Sequence, residues 1–187
     1  MTTTVAVFGS SQTDIDSEDW TDAVKVGARL AAAGVAVITG GYGGTMEAVS
    51  LGASTAGGKV IGVTAPTLFP GRSGANSYVG ELIEAPTLSS RIDFMMQRAD
   101  ATITLAGSLG TATELLTAWN MNFIARRVGS RPFPSTAVGV QWQKVADALV
   151  LLIGVENDGV HWANTADEAV DWILAQLGIH EKGPAAT

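Results

Sequence analysis

The chain has no cysteine among its 187 residues and few charged residues, which make up 16% of the sequence. The absence of cysteine excludes disulfide bonds, thiolate catalysis and zinc sites with thiolate ligands. The net charge is −7 and there is no basic run, so we expect no nucleic-acid partner, because phosphate backbones are bound by clustered Lys and Arg. The two histidines, His161 and His180, lie far apart in the sequence and late in the chain, so we expect no metal site.

The sequence also lacks the hydrophobic segments that insert a protein into a membrane or direct its export. No stretch approaches the ~20 uninterrupted apolar residues of a membrane-spanning helix. The first residues, MTTTVAVFGS, contain no basic region followed by a cleavable apolar segment. We therefore expect a cytoplasmic protein with no membrane partner. The hydrophobic content of 47% predicts a large buried interior.

Apolar runs alternate with helical patterns along the chain, which is typical of a parallel sheet covered by helices on both faces. The predicted strands are Val5–Phe8, Val35–Thr39, Val60–Thr64, Leu82–Glu84, Ala101–Leu105 and, as the last central strand, Ser135–Val140. Two of the predicted helices are capped by Ser17 and by Ser89 or Ser90, and the others begin near Thr45, Thr111, Val145 and Ala166. Residues 65–80 are interpreted as a long surface loop, either a binding loop or a simple connection. We predict one α/β domain over residues 1–187, a Rossmann-like doubly wound parallel sheet.

Two glycine loops each follow a predicted strand and open a helix. The first loop contains Gly40, Gly41, Gly43 and Gly44, and the second contains Gly107, Ser108, Gly110 and Thr111. Free N–H groups and the helix dipole make such a helix start an anion site. A tight turn without ligand would explain one loop alone. Two loops at the same sheet edge favour a nucleotide or sugar phosphate.

Two charged residues lie close to the second loop. Glu114 follows Thr111 by three residues, which returns its side chain to the same helix face, and Arg91 lies in the first turn of the preceding helix. Individually, Glu114 is equally compatible with a helix cap and Arg91 with a solvated surface residue. The turn FGSSQT has a single glycine and the chain has no Walker A lysine, so standard NAD or ATP binding is disfavoured.

Taken together, these motifs resemble the LOG family of cytokinin-activating nucleoside 5′-monophosphate phosphoribohydrolases. The resemblance rests on Arg91-x-x-x-Met95, followed after a strand by Gly107-x-x-Gly110-Thr111-x-x-Glu114. The segments GGYGGTMEAVSLGA and AGGKVIGVTAP also resemble segments of that family. The opening FGSS matches its first-strand turn, which adds Ser10 to the expected nucleotide contacts. The resemblance covers roughly residues 5 to 125.

The resemblance implies hydrolysis of a nucleoside 5′-monophosphate, of the AMP or cytokinin-riboside-monophosphate type, to free base and ribose 5-phosphate. Cleavage of the N-glycosidic bond builds positive charge on C1′, which the Glu114 carboxylate would stabilise while Arg91 holds phosphate or ribose oxygens. This chemistry requires neither a metal nor an organic cofactor. The resemblance also implies a homodimer built on the helices around Arg91–Arg98 and Thr111–Phe123.

The chain departs from the family pattern within these motifs. Ala106 stands in place of Pro, Ser108 and Glu47 in place of Gly, and Thr113 in place of Glu. A second function therefore stays open, namely nucleotide or cofactor binding without catalysis, as in a carrier or sensor of the same superfamily.

Overall fold

The computed structural model describes residues 2–71 and 74–179, and within them seven strands form one sheet. The strands are β1 (Thr4–Phe8), β2 (Ala36–Thr39), β3 (Val60–Thr64), β4 (Glu81–Glu84), β5 (Ala101–Thr104), β6 (Ser135–Val138) and β7 (His161–Ala163). Every neighbouring pair is parallel, in the order β4-β3-β2-β1-β5-β6-β7. The predicted α/β architecture is confirmed.

Six helices cover the two faces of this sheet in the described ranges. They are α1 (Glu18–Ala32), α2 (Thr45–Thr55), α3 (Leu88–Arg98), α4 (Leu109–Arg127), α5 (Val140–Ile153) and α6 (Ala166–Gln176). The apolar sides of α1, α2 and α6 share one core with the sheet, and α3, α4 and α5 pack on the other face. None of these helices combines the length and the apolar character that crossing a membrane requires.

Local signals place most of these helices, with one cap wrongly predicted. Ser17 caps α1 as expected, because its side chain accepts a hydrogen bond from the Trp20 N–H. The start of α3 is capped by Thr87, so the prediction of Ser89 or Ser90 is wrong. Thr87 and Ser90 form a capping box, in which each side chain accepts from the backbone N–H of the other. The serine therefore belongs to the first turn of the helix.

The carboxyl-terminal third of the fold also differs from its prediction. β6 ends at Val138, and Gly139 then turns the chain with a φ of 96°, a value that favours glycine. As a result, α5 begins at Val140 rather than at Val145. The edge strand β7 has three residues and was not predicted, because so short a segment carries no recognisable periodicity.

The order of the strands determines where a ligand site forms. β1 lies between β2 and β5, so successive connections run in opposite directions on its two sides. In such sheets a crevice opens at the carboxyl ends of the strands where the direction reverses. The turns that follow β1, β2 and β5 therefore meet at one edge. Residues 65–80, as far as they are described, form neither helix nor strand and border the same edge.

Candidate active site

A cavity of about 260 Å³ lies at this crevice. Its walls are formed by the turns after β1, β2 and β5, by the starts of α3 and α4, and by one side chain of the 65–80 loop. The predicted site residues that line it are Gly40, Arg91, Ser108, Gly110, Thr111 and Glu114. Tertiary folding thus brings both charged residues and part of each glycine loop into a single cavity.

Arg91 is buried at the bottom of this cavity and is not a solvated surface residue. Its side chain retains 8% of its surface exposed. Nε donates to the Val63 carbonyl at 2.8 Å, and Nη2 donates to the Gly40 carbonyl at 3.1 Å. The guanidinium carbon lies 5.6 Å from the centre of the Tyr42 ring. These contacts anchor the guanidinium at the carboxyl ends of β2 and β3.

Glu114 faces Arg91 from the second turn of α4. Its Oε1 lies 3.6 Å from Arg91 Nη1, and both side chains are buried. Burial raises the pKa of Glu114 to about 7, against the opposing effect of the Arg91 charge. Ser108 occupies the N-cap position, and no hydrogen bond joins Glu114 to its own helix start in the described part of the chain. The carboxyl group therefore lines the cavity, and with a pKa of about 7 its protonated and ionised forms are both present near neutral pH.

The start of α4 has the properties of an anion site. The Ser108 side chain does not cap this 19-residue helix, so the first-turn N–H groups have no side-chain acceptor at that position. Thr111, in the same turn, is 2% exposed, and its Oγ1 has no hydrogen-bond partner within the described residues. Unpaired donors at the positive end of a helix dipole favour a bound anion.

The first glycine loop is arranged differently. The Gly40 carbonyl accepts from Arg91, and the Gly41 carbonyl accepts from the backbone and side-chain N–H groups of Asn76. Of the four predicted glycines in this loop, only Gly40 lines the cavity as described. Gly41, Gly43 and Gly44 therefore belong to the loop but do not line the cavity.

The turn after β1 joins the two glycine loops. The Ser10 N–H donates to the Ala106 carbonyl at 3.2 Å, and the Ser10 carbonyl accepts from the Thr45 N–H at 2.8 Å. Ser10 itself does not line the cavity, whereas the neighbouring Ser11 does. Ser10, which we predicted as a nucleotide contact, thus bonds to both loops through its backbone and does not form part of the cavity wall.

Sequence reasoning missed several residues of this site. Tyr42 lies against the guanidinium of Arg91, and its hydroxyl accepts from the Ala65 N–H at 2.8 Å. An aromatic residue inside a glycine loop was an available signal. Phe69 lines the cavity from the long loop and contacts Tyr42 edge to face. No sequence pattern marks Phe69, because its place depends on how the loop folds back.

No group of three or more His, Cys, Asp or Glu side chains in the described ranges is arranged to hold a metal ion. His180 lies outside the described residues. The ionisable groups that line the cavity are Arg91 and Glu114. The chemistry of the site therefore depends on one carboxyl group, one guanidinium and the donors at the start of α4.

Comparison with known proteins connects this site to a family. A model of the SLOG cluster4 family matches residues 2–129. A cytokinin riboside 5′-monophosphate phosphoribohydrolase of Mycobacterium marinum is 38% identical over 100 residues, which cover 53% of each chain. The protein of the same name from Mycobacterium tuberculosis is 36% identical over 103 residues, 54% of each chain. The chain spans about half the length of these curated relatives.

Solved structures extend the likeness of the fold to almost the whole chain. The molybdenum cofactor binding protein from Rippkaea orientalis has a TM-score of 0.75 at 22% identity and covers 95% of this chain and 98% of its own. The Moco carrier protein from Chlamydomonas reinhardtii has a TM-score of 0.71 at 22% identity, with coverages of 95% and 99%. At such identities the likeness establishes the fold alone.

The family match includes both glycine loops and the two charged residues of the cavity. Arg91 and Glu114 both lie within residues 2–129, as does the whole of α4. The chain therefore belongs to the SLOG cluster4 family, and the resemblance of its motifs to the LOG family is confirmed.

Proposed function

We propose that the protein hydrolyses the N-glycosidic bond of a nucleoside 5′-monophosphate, of the AMP or cytokinin-riboside-monophosphate type, to the free base and ribose 5-phosphate. The observation that carries this proposal is a buried carboxyl group, Glu114, one helical turn beyond the open start of α4 in the same cavity. The names of the curated relatives describe this activity in those proteins.

In the proposed complex, the 5′-phosphate binds at the start of α4. The N–H groups near Gly110 and Thr111, which no side chain caps, supply its donors. Ser108 lines the cavity beside them. With the phosphate held there, the attached ribose extends along α4 towards the carboxyl of Glu114.

The chemical step breaks the bond between C1′ and the base nitrogen, and the electron pair of that bond leaves with the base. Positive charge develops on C1′ and the ring oxygen, and the Glu114 carboxylate stabilises it. The oxygen of a water molecule bonds to C1′, and the proton that it loses passes to Glu114. The base takes a proton from solvent as it leaves. A carboxyl group with a pKa of about 7 suits this exchange near neutral pH.

Arg91 acts on this step chiefly through Glu114 in our proposal. Two of its nitrogens donate to backbone carbonyls, so the guanidinium stays in one position. From there Nη1 faces Glu114 Oε1 and favours the ionised carboxylate. A ribose hydroxyl that entered the cavity would meet the same charged pair.

The proposed activity is tested by incubating the protein with a panel of nucleoside 5′-monophosphates and measuring the released base by chromatography. We expect hydrolysis of at least one of them. Glu114→Gln should lower turnover by roughly 10²–10³-fold, because it removes the charge that opposes the developing cation. Ribose 5-phosphate should still bind to this variant, since the backbone donors are unchanged. Equal turnover by the variant and the wild type would rule out the assigned role of Glu114.

The second candidate function is binding of a nucleotide or cofactor without hydrolysis. It is favoured by the deep burial of Glu114, which leaves a substantial fraction of the carboxyl protonated at neutral pH and therefore uncharged. The fold accommodates such a role, because two proteins of similar structure are named for binding or carrying the molybdenum cofactor. A protein that binds a nucleoside monophosphate but releases no base from any of them would support this candidate.

We also propose a homodimer whose interface is the outer surface of α4 and α5. The last turn of α5 exposes Leu151, Leu152 and Ile153, and α4 exposes Ile124. A groove of about 510 Å³ between the helices is lined mostly by apolar side chains. An isologous pair would cover this surface with its own copy. The other predicted interface helix, α3, buries Met95 and Met96 in the core.

The proposed assembly is measured by light scattering at micromolar concentration, where we expect the mass of a dimer. Leu152→Glu should shift the protein towards the monomer, because it places a charge on the apolar surface. A monomeric wild-type protein would rule out the homodimer.

A further inference from the structure

The three carbonyl groups that precede α4 are each held by a different donor. The Leu105 carbonyl accepts from Trp142 Nε1 at 3.0 Å, and the Ala106 carbonyl accepts from the Ser10 N–H at 3.2 Å. The Gly107 carbonyl accepts from Gln141 Nε2 at 2.8 Å. Two of the three donors, Gln141 and Trp142, lie in the first turn of α5. The loop before the anion site is therefore held mainly from outside the motif that forms it.

These bonds determine how the peptide groups of the loop are oriented. A trans peptide group is planar, so its carbonyl and the N–H group of the next residue point in opposite directions. With its carbonyl turned towards Gln141, Gly107 directs the Ser108 N–H away from α5. Ser108 itself lines the cavity. The bond from Gln141 thus orients the peptide group that leads into Ser108, the N-cap residue of α4.

Apart from the hydrogen bonds to its carbonyl groups, the residues of the loop add little rigidity of their own. Ala106 and Ser108 do not restrict the backbone as a proline would. The Ser108 side chain does not bond to the start of α4. A flexible loop of this kind would have to become ordered when an anion binds, and the cost of ordering would reduce its affinity. A bond that orders the loop beforehand raises that affinity.

We propose that Gln141 is a positioning residue for the anion site at the start of α4. The inference rests on the proposed function in taking the anion to be the 5′-phosphate of a nucleotide. Gln141 lies outside residues 2–129, which match the family model, so this contact belongs to α5 and not to the matched motifs. The phosphate is remote from the bond that breaks, so it contributes equally to binding of the substrate and of the transition state. Loss of the contact should raise KM and leave kcat unchanged.

Gln141→Met tests this role, because methionine keeps the length of the side chain and removes its donor. Gln143→Met is the matched control, since Gln143 lies on the same helix and its side chain makes no hydrogen bond within the described residues. We expect Gln141→Met to raise the Kd for ribose 5-phosphate and the KM for a hydrolysed nucleotide by about 2–10-fold, the effect of one hydrogen bond. Both values should stay at the wild-type level in Gln143→Met.

Hydrogen exchange of the ligand-free protein gives a readout that does not depend on activity. Amides of residues 105–110 should exchange faster in Gln141→Met than in the wild type or in Gln143→Met. Unchanged exchange and unchanged Kd in Gln141→Met would overturn the inference, whatever the activity. A wild-type protein that binds ribose 5-phosphate but hydrolyses no nucleotide would overturn the proposed function, and a raised Kd in Gln141→Met would then still support the role of Gln141. A wild-type protein that binds no ribose 5-phosphate would overturn both.

Discussion

The two glycine loops of this protein look alike in sequence and differ in what they hold. Each follows a parallel strand and opens a helix with a Gly-Thr pair. In the loop after β2, a backbone carbonyl, that of Gly40, binds the guanidinium of Arg91. In the loop after β5, the start of α4 lines the cavity with Gly110 and Thr111, and no side chain caps its first-turn N–H groups. One loop thus binds a cation of the protein itself, and the other offers donors to an anion.

The difference comes from what packs against each loop. The turn after β1 lies over the start of α2, where Thr45 donates its N–H to the Ser10 carbonyl. The same turn bonds to Ala106 behind the second loop and leaves the start of α4 facing the cavity. Glycine before a helix therefore allows an anion site but does not create one, because a neighbouring segment decides whether the N–H groups stay open.

The largest expected effect comes from adding a methyl group to each loop. In Gly40→Ala the new Cβ would overlap Arg91 Nη2 and lie 2.6 Å from Met46 Sδ. The buried guanidinium would have to leave its partners, so we expect a loss of about 3–5 kcal/mol in the free energy of unfolding. In Gly110→Ala no atom lies within 4 Å of the new Cβ, and stability should hold or rise by about 0.5–1 kcal/mol.

Urea unfolding measures these two stabilities, and calorimetric titration measures binding of ribose 5-phosphate. Gly110→Ala should bind this ligand more weakly than the wild type, because its methyl group would lie at the cavity wall where we propose that the phosphate binds. If both variants lost stability equally, the two loops would not differ in the way described.

A second test concerns the carboxyl group that faces the arginine of the first loop. Burial raises the pKa of Glu114 from 4.5 to about 7, so between these pH values the folded protein keeps a proton that the unfolded chain has lost. The contribution of Glu114 to the free energy of unfolding should therefore fall by roughly 3 kcal/mol from pH 4.5 to pH 7. Well above pH 7 this contribution should stay constant, because the carboxyl group is then ionised in both states. Glu114→Gln does not titrate, so its stability relative to the wild type should rise across the same interval.

Urea unfolding of both proteins at several pH values measures this difference. Glu84→Gln is the matched control for the chemical change itself, because Glu84 is an exposed carboxylate at the end of β4. If the difference in the free energy of unfolding between Glu114→Gln and the wild type were the same at every pH, Glu114 would be ionised across the interval despite its burial.

The smallest expected effects separate the two threonines that open the helices. Thr45 Oγ1 is hydrogen-bonded to Thr13 Oγ1 at 2.7 Å, whereas Thr111 Oγ1 has no partner in the described chain. Thr45→Val should lose about 1 kcal/mol of stability and keep its affinity for ribose 5-phosphate. Thr111→Val should keep or gain stability, because it removes a buried hydroxyl without a partner, and it should keep its affinity for this ligand, because the N–H groups of the turn are unchanged. Loss of stability in Thr111→Val would mean that its hydroxyl has a partner in the folded protein.

Most of the fold could be predicted from the sequence, because strands and helices leave local signals. β3 was predicted at its observed bounds, and Ser17 and Thr45 marked the starts of α1 and α2. The start of α3 was misplaced because Ser90 and Thr87 share one capping box, and either residue has the composition of a cap. β7 was not predicted, because three residues on a sheet edge owe their conformation to their pairing with β6.

The candidate site could be predicted in part. Arg91 and Glu114 were selected as a pair, and they lie in one cavity. The sequence did not indicate that Arg91 binds two backbone carbonyls, since Val63 and Gly40 contribute atoms that every residue has. Phe69 was missed for a related reason, because a loop residue reaches a cavity only through the path of the folded chain.

The sequence by itself determined the alternation of strands and helices, the two glycine loops and the spacing of Thr111 and Glu114. These features depend on periodicity, capping and the freedom of glycine, which act between near neighbours in the chain. Only the tertiary structure decided which loop stays open to an anion and which one holds Arg91. That choice depends on the turn at Ser10 and on the first turn of α5, which come from distant parts of the chain and meet the loops only when the sheet has formed.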